Sequence, residues 1–456
     1  MTIELRRRRE SLWLEYGLML AIFAGIVHTG WFLYEYGYLP QPWFYEPSGT
    51  FMDWYSLAYS ANMHGAYDTE RSIYPPLSFV IMKIFGQASC YRNAIGEPSR
   101  DCDYWGIYAL TFGLGLNVVL TFLAFRKHDR TTYIPRAFAT ALGFPMLHAY
   151  ERGNLILFCY TCLLLAYGPL LKSARLRWFF GGMMFNFKVY MVGAVVAPLL
   201  RRRWLQVEAT ILWTILVYIV TWAILGEGSP AEVVRNVLDY SATFGASKVL
   251  DIWFPGSLVP LLGLLKGENF PINTILDSNV AEAALLGLTT FGRSAQLLIV
   301  LAALCSWLRP EVVPLRRMVY FSIALPLSVS EAGGYTEIFL LLFIFMEPWR
   351  GIGRKVSIIL AYTVCLPWEV VLSKLPPMVR WSWLVNADVI VEYGVGLSSF
   401  LRPIIMLVIS MCLSVVTIRD VWLDIRNDEH KRRRRFRNDA KLVPWMDPTI
   451  QRMKSR

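Results

Sequence analysis

The sequence predicts an all-α, polytopic integral membrane protein with about 10 to 13 transmembrane or re-entrant helices and both termini in the cytoplasm. Three observations carry this. Hydrophobic residues make up 55% of the 456 and charged residues only 17%, at a mean hydropathy of +0.41; a soluble chain carries about 25% charged residues. The apolar excess lies in continuous runs along the whole chain. It is too evenly spread for one signal peptide or anchor, and it lacks the alternation of barrel strands of about ten residues. The basic residues fall in short clusters beside those runs, as in the cytoplasmic loops of membrane proteins, where Lys and Arg are retained. A soluble enzyme, a disordered chain and a disulfide scaffold are thereby excluded. The 31 Gly and 24 Pro fit the class, since membrane helices tolerate both.

The clusters are Arg6 to Arg9, Arg126–Lys127 with Arg130 and Arg136, Lys172 with Arg175 and Arg177, Arg201 to Arg203, Arg316–Arg317, and Lys431 to Arg435. The net charge of +11 is read as topogenic, or as directed at lipid headgroups, and no nucleic-acid partner is expected. With the clusters as inner-side fixed points, residues 12–37 go out and 38–104 form a first outer loop with interfacial helices. Residues 105–125 return, 137–150 go out, and 154–171 come back to the Lys172 cluster. The stretch 178–200 has basic clusters at both ends, so one simple span would strand three arginines outside. It reads as a re-entrant pair of half-helices turning at Asn186, Phe187 and Lys188. Next, 206–225 goes out, 226–292 stays mostly outside, and 293–309 returns. Then 318–331 goes out, 335–348 returns, 355–373 goes out and 396–418 returns. Residues 1–425 form one transmembrane domain, and 426–456 a basic cytoplasmic tail. Several runs fall short of the ~20 residues a straight crossing needs. No internal repeat stands out, which weakens a secondary-transporter reading.

Of the seven cysteines, Cys159, Cys162, Cys305, Cys365 and Cys412 lie in apolar runs and read as small core residues. Cys90 and Cys102 flank the polar loop ASCYRNAIGEPSRDC, placed outside, where the compartment permits disulfides; a structural bridge and two free thiols are both open. The five histidines are scattered, with no i, i+4 pair beside a carboxylate, so no metal site is expected. No Walker loop or dinucleotide glycine pattern appears.

Ionisable side chains at the membrane edge are functional candidates, and four groups lie on the outer side. Asp53 sits among Trp54, Tyr55, Tyr59 and Tyr67 in the first outer loop, a mixture that favours an interfacial helix. A carboxylate held there is partly desolvated and can accept a proton. Tyr74-Pro75-Pro76 opens the next helix, where Pro is tolerated in the first turn. Glu151-Arg152-Gly153-Asn154 forms an outer turn; its Glu and Arg can pair with each other, or the Arg can grip a phosphate through two parallel hydrogen bonds. Lys188, flanked by aromatics, calls for an anionic partner, either a ligand or a distant carboxylate. The fourth group is the turn from Ser328 to Glu337.

These residues together resemble a family. Asp53 followed by ANMHGAYDTERSIYPPLSFVI is similar to the Asp-x-x-x-Tyr … Gly-x-x-x-Tyr … Tyr-Pro-Pro-Leu pattern of glycosyltransferase family 87. ERGNLILFCYTCLLLAYG is similar to its Gly-Gln-x-Asn-x-x-Leu-Leu segment, and GGMMFNFKVYMVGAVVAPLLRRRW to its Lys-x-x-Pro … Leu-Leu-Arg-Arg-Arg-Trp segment. The match covers residues 12–205. Met191 stands where the family carries Pro, and PLSVSEAGGYTE lacks the family's late histidine, so that Glu331, Tyr335 or Glu337 would serve in its place. The resemblance implies a GT-C fold and transfer of a sugar, mannose foremost, from a polyprenyl-phosphate donor to a glycan or glycolipid acceptor at the outer face, with inversion. It implies Asp53 as general base, with Arg152, Lys188 and Tyr74 holding the donor phosphate. His64, Tyr67, Asn154, Glu331 and Tyr335 would contact the substrates. No cofactor beyond the lipid-linked co-substrate is implied, and the location would be the cell's inner membrane. A membrane transporter, or a flippase or ligase for lipid-linked glycans, is the alternative.

Overall fold

The computed structural model describes residues 2–43, 46–63, 65–92, 97–243, 255–267, 277–330 and 332–426. His64, Glu331 and the tail beyond Arg426 lie outside the described residues. The chain is mostly helical. Helix α1 (Thr2–Tyr36) is followed by α2 (Met52–Asn62), α3 (Pro76–Phe85), α4 (Glu97–Cys102) and α5 (Tyr104–His128). Then come α6 (Tyr133–Leu142), α7 (Phe144–Glu151), α8 (Ile156–Tyr167), α9 (Ala174–Phe185), α10 (Val196–Leu200) and α11 (Trp204–Leu225). The remainder holds α12 (Pro230–Thr243), α13 (Val259–Leu265), α14 (Ser278–Leu308), α15 (Leu315–Val329), α16 (Glu337–Ile344), α17 (Ile352–Val364) and α18 (Ser398–Arg426).

Five helices among the described residues are long and apolar enough to cross a membrane: α1 from Leu12, α5, α11, α14 and α18. They keep large apolar side chains at the surface, such as Phe23 and Val27 of α1 or Leu212 and Ile219 of α11; water is a poor solvent for such a face and lipid a good one. Inside them lie shorter apolar helices. Every residue of α16 is buried, and α8 is buried on nearly all sides, as expected for helices apolar all round. The expected spans 154–171 and 335–348 are therefore corrected. At 1.5 Å per residue, α8 and α16 reach only about 18 and 12 Å of the ~30 Å hydrocarbon layer, and they fill the core.

The expected span 137–150 is broken in two at Gly143. A Cβ there would lie 2.2 Å from the Ala139 carbonyl and 2.8 Å from Cys365, and Pro145 starts α7 without an N–H to give. The stretch 178–200 does fold as two half-helices turning at Asn186–Lys188. Arg177 and Arg203 at its two ends lie within electrostatic reach of each other. Helix α14 starts well before residue 293, at Ser278, where the Asp277 side chain caps it by accepting from Asn279 N at 2.8 Å.

The all-α expectation also needs correction. Four strands follow α17: β1 (Val371–Lys374), β2 (Met378–Ser382), β3 (Ala387–Val391) and β4 (Gly394–Gly396). β1 pairs antiparallel with β4, and β2 with β3 from Met378↔Val391 to Ser382↔Ala387. The β-branched and aromatic residues of VLSKLPPMVRWSW favour strand, Pro376-Pro377 stops any helix, and Asn386 takes the left-handed turn at φ 53°.

Several basic residues expected at headgroups are buried instead. Arg136 binds Glu15 through Nε at 2.7 Å and Nη2 at 2.8 Å, and donates Nη1 to the Phe345 and Glu347 carbonyls just past α16. Arg317 binds the Glu347 carboxylate at 2.9 and 2.5 Å. Arg177 donates to the carbonyls of Ala166, Gly168 and Leu171 at the end of α8. Guanidinium groups here satisfy helix C-terminal carbonyls that lack an intrahelical donor.

Candidate active site

Helix α2 starts where Phe51 takes φ 63°. Trp54 and Tyr55 then turn into the core, the Tyr55 hydroxyl donating to the Asp103 carbonyl at 2.6 Å. That leaves the Asp53 side chain on the open side, 23% exposed. Two backbone bonds align this turn with the end of α7, Phe51 N to Glu151 O at 2.7 Å and Asp53 N to Arg152 O at 3.0 Å. Across that seam Arg152 Nη2 donates to Asp53 Oδ1 at 2.5 Å and Nη1 to the Gly49 carbonyl at 3.0 Å. Asn154 Nδ2 donates to Asp53 Oδ2 at 2.8 Å, and its own Oδ1 accepts from Ile156 N at the start of α8. Burial works to lower the Arg152 pKa, and the neighbouring Asp53 and Glu151 carboxylates more than offset it, so the group is held firmly cationic. Glu151 Oε2 lies 3.4 Å from His148 Nδ1.

Gly153 joins the two Asp53 ligands. It takes φ 68°, and a Cβ there would meet the Phe51 carbonyl at 2.9 Å. Gly153→Ala is expected to cost about 1–3 kcal/mol through left-handed backbone strain, and the steric push would part the Arg152 turn from α2. The measurement is thermal unfolding in detergent; melting indistinguishable from wild type would disprove the strain.

A second group stands beside the first. Lys188, extended between α9 and a 3-10 turn over Val189–Val195, donates Nζ to the Tyr74 hydroxyl at 2.8 Å and lies 4.2 Å from its ring centroid. No carboxylate ion-pairs with Lys188 among the described residues. Tyr67 is buried and supports this group by donating its hydroxyl to the Tyr74 carbonyl at 2.8 Å. Burial raises the Tyr67 pKa, with Tyr218 and the nearby carboxylates of Glu227 and Glu232 adding to it, so it stays a neutral donor. Tyr335 lies within electrostatic reach of Asp53, Tyr74 and Arg152, with its ring 5.7 Å from that of His148.

No protein-family model, curated protein or solved structure matches the chain. The site is therefore read through its own chemistry.

Seven expected residues are brought together here: Asp53, Tyr67, Tyr74, Arg152, Asn154, Lys188 and Tyr335. Glu337 does not join them; it is buried with its Oε2 3.9 Å from Arg402. The bridge between Cys90 and Cys102 is formed, closing the loop ahead of α5. Two residues escaped the sequence reading. Tyr190 lies within electrostatic reach of Tyr74 and Tyr335, and its buried hydroxyl has no hydrogen-bond partner among the described residues; its only signal was an aromatic two positions from Lys188. His148 stacks on Phe144 at 5.2 Å, signalled only by its i, i+3 spacing to Glu151. A carboxylate has about four lone-pair sites, and Asp53 has a partner on each oxygen. The remaining sites can accept from an incoming hydroxyl, while Lys188 and Tyr74 present a cation and a hydroxyl to an anion.

Proposed function

We propose that this chain is a GT-C-fold membrane glycosyltransferase that moves a sugar, mannose foremost, from a polyprenyl-phosphate donor to a lipid-linked or polysaccharide acceptor at the outer face. The observation that carries the reading is the seating of Asp53 between Arg152 and Asn154, with the Lys188–Tyr74 pair in reach through Tyr335. Asp53 removes the proton of the acceptor hydroxyl as that oxygen attacks the anomeric carbon. The bond from that carbon to the phosphate oxygen breaks on the opposite face, which inverts the centre and releases polyprenyl phosphate. Lys188 and Tyr74 stabilise the charge growing on the phosphate. Arg152, already engaged by Asp53 and Gly49, orients the base and adds positive charge beside it. A positioned base contributes about 10²–10⁴-fold, and stabilisation of the leaving charge often contributes more. The inner membrane of the cell, with the site facing the periplasm or exterior, belongs to the same proposal. The pairing of Asp53 at the start of α2 with Arg152 at the end of α7, and a sequence in which no internal repeat stands out, favour it over a transporter.

The test is to incubate purified protein with a panel of polyprenyl-phosphate sugars and acceptors and to measure polyprenyl phosphate. Release with one donor is expected, and no release with any donor refutes the assignment. Lys188→Ala is expected to weaken polyprenyl phosphate binding about 10- to 100-fold, the worth of a charged hydrogen bond. Isothermal titration would check it, and an unchanged Kd would remove Lys188 from the phosphate site.

A further inference from the structure

The four strands between α17 and α18 form a flap, and Trp368 at its base marks its depth against α1. The Trp368 indole lies flat on His28, centroids 5.1 Å apart and planes at 1°, and donates Nε1 to the Ala21 carbonyl at 3.3 Å. At 1.5 Å per residue, His28 and Ala21 stand about 12 and 22 Å below the Tyr36 end of α1. A ~30 Å hydrocarbon layer around α1 therefore surrounds Trp368 as well.

At this level α1 leaves Phe23, Val27 and Trp31 more than half exposed, at 52%, 55% and 53%. The flap continues that apolar surface. Val370 and Leu372 are 61% and 56% exposed, and Val379 and Ile390, paired across β2 and β3, 64% and 67%. The opposite face of β3 is packed: Val391 is buried with Tyr38 and Tyr393, and Val389 and Phe32 lie against that cluster. The facing edges of the strands are hydrogen-bonded by the two ladders and by Leu375 N to Tyr393 O at 2.7 Å and Leu397 N to Val370 O at 2.9 Å. The outer edges of each two-stranded ladder need water or headgroups, which keeps the strand backbones at the interface while their apolar side chains reach toward the acyl chains. The Glu369 carboxylate accepts from Ser398 N at 3.0 Å, turning its charge onto the start of α18. Lys374 and Glu392 neutralise each other at 2.7 Å.

We propose that the flap docks on phospholipid of the leaflet at the Tyr36 end of α1, with Val370 and Leu372 against acyl chains and Val379, Ile390 and Trp381 at the interface. The docking reaches the candidate site through Trp383, which packs on Phe51 with centroids 5.5 Å apart and donates its backbone N to the Pro47 carbonyl at 3.5 Å. The Pro47–Phe51 turn carries the Gly49 carbonyl that Arg152 binds. Lipid contact thus sets the height of Asp53 above the bilayer. The proposal rests on α1 spanning the membrane and is independent of the reaction catalysed.

The test places a nitroxide at Val27, Val370, Leu372, Val379, Ile390 or, as the water-facing reference, the exposed Glu70 of the first outer loop, each changed to Cys in the full chain carrying Cys305→Ala and Cys412→Ala. The proteins are reconstituted in phosphatidylcholine–phosphatidylglycerol vesicles, and collisions with oxygen and with a water-soluble nickel chelate are measured. Labels at 370 and 372 are expected to match the Val27 label, rich in oxygen and shielded from the chelate by at least tenfold relative to 70. Labels at 379 and 390 should fall between. Equal chelate access at 370, 372 and 70 would overturn the proposal in favour of a water-facing flap. Exclusion of both reagents would overturn it in favour of a protein contact such as a second copy. Because Val379 and Ile390 stand on the outward face, their labels report even where one at 370 or 372 unseats β1.

Discussion

Asp53→Asn is expected to lower sugar transfer by about 10²–10⁴-fold, the usual worth of a positioned base, while polyprenyl phosphate still binds. The substitution keeps size and shape and removes the charge and one acceptor. The amide oxygen of the variant would still take the Arg152 hydrogen bond now made at 2.5 Å. The new amide nitrogen would then face Asn154 Nδ2, now 2.8 Å from Asp53 Oδ2. Two donors would oppose each other, and Asn154 cannot simply flip, because its Oδ1 holds Ile156 N at 3.1 Å. An additional stability loss of about 1–3 kcal/mol follows from the unmet donor. The proposed phosphate-holding pair bonds within itself, Lys188 Nζ to the Tyr74 hydroxyl, so Kd for polyprenyl phosphate should hold within a factor of about three as kcat collapses. The two readouts separate base from scaffold. A variant that turns over at near the wild-type rate would sink the assignment of Asp53, whatever its melting temperature.

The helical class and the turn at Asn186–Lys188 were legible because both follow from local composition, an apolar run and basic residues on each side of it. Hydropathy does not tell a lipid-facing helix from a buried one. Ile156–Tyr167 and Trp204–Leu225 are equally apolar in sequence, yet the first is wrapped by protein and the second bares Leu212 and Ile219. Averaging over a run also hid the break at Gly143–Pro145 and turned the strand-forming stretch from Val371 into the end of a span. The basic clusters misled for another reason. Arg136 beside an apolar run reads as a headgroup contact, but its partner Glu15 lies 121 positions away, and nothing local announces the pairing. The candidate site has the same property. Asp53 meets Arg152 and Asn154 across 99 and 101 positions, so only the ordered motifs of a family pattern could set them side by side. Tyr190 carried no such signal, since an unpartnered hydroxyl exists only once the fold is built.

The distant pairing of Arg136 with Glu15 also makes the largest expected change in stability. Glu15 is fully buried and accepts from Arg136 Nε at 2.7 Å, Nη2 at 2.8 Å and the Tyr362 hydroxyl at 3.0 Å. Arg136→Met removes the cation, leaves that carboxylate with one neutral donor, and strands the Phe345 and Glu347 carbonyls that Nη1 serves at 2.8 Å each. Breaking one side of a buried pair costs about 3–5 kcal/mol, mostly as the penalty of the charge left behind. If that origin is right, the loss belongs to Glu15 rather than to the missing guanidinium. Arg136→Met combined with Glu15→Gln should then recover about half or more of it, a coupling of roughly 1.5–3 kcal/mol between the two changes. Arg136→Lys should fall between, because an ammonium cannot span both carboxylate oxygens and the two carbonyls as the planar fork does. Unfolding of wild type, Arg136→Met, Glu15→Gln and the double variant in mixed micelles with increasing dodecyl sulfate measures the cycle, with Arg136→Lys alongside. A single variant within about 1 kcal/mol of wild type would mean that water or lipid headgroups reach Glu15 and solvate it. Full additivity would instead assign the stability to the two carbonyls beyond α16, and Arg136 would then act as a helix cap that merely borrows its counter-ion.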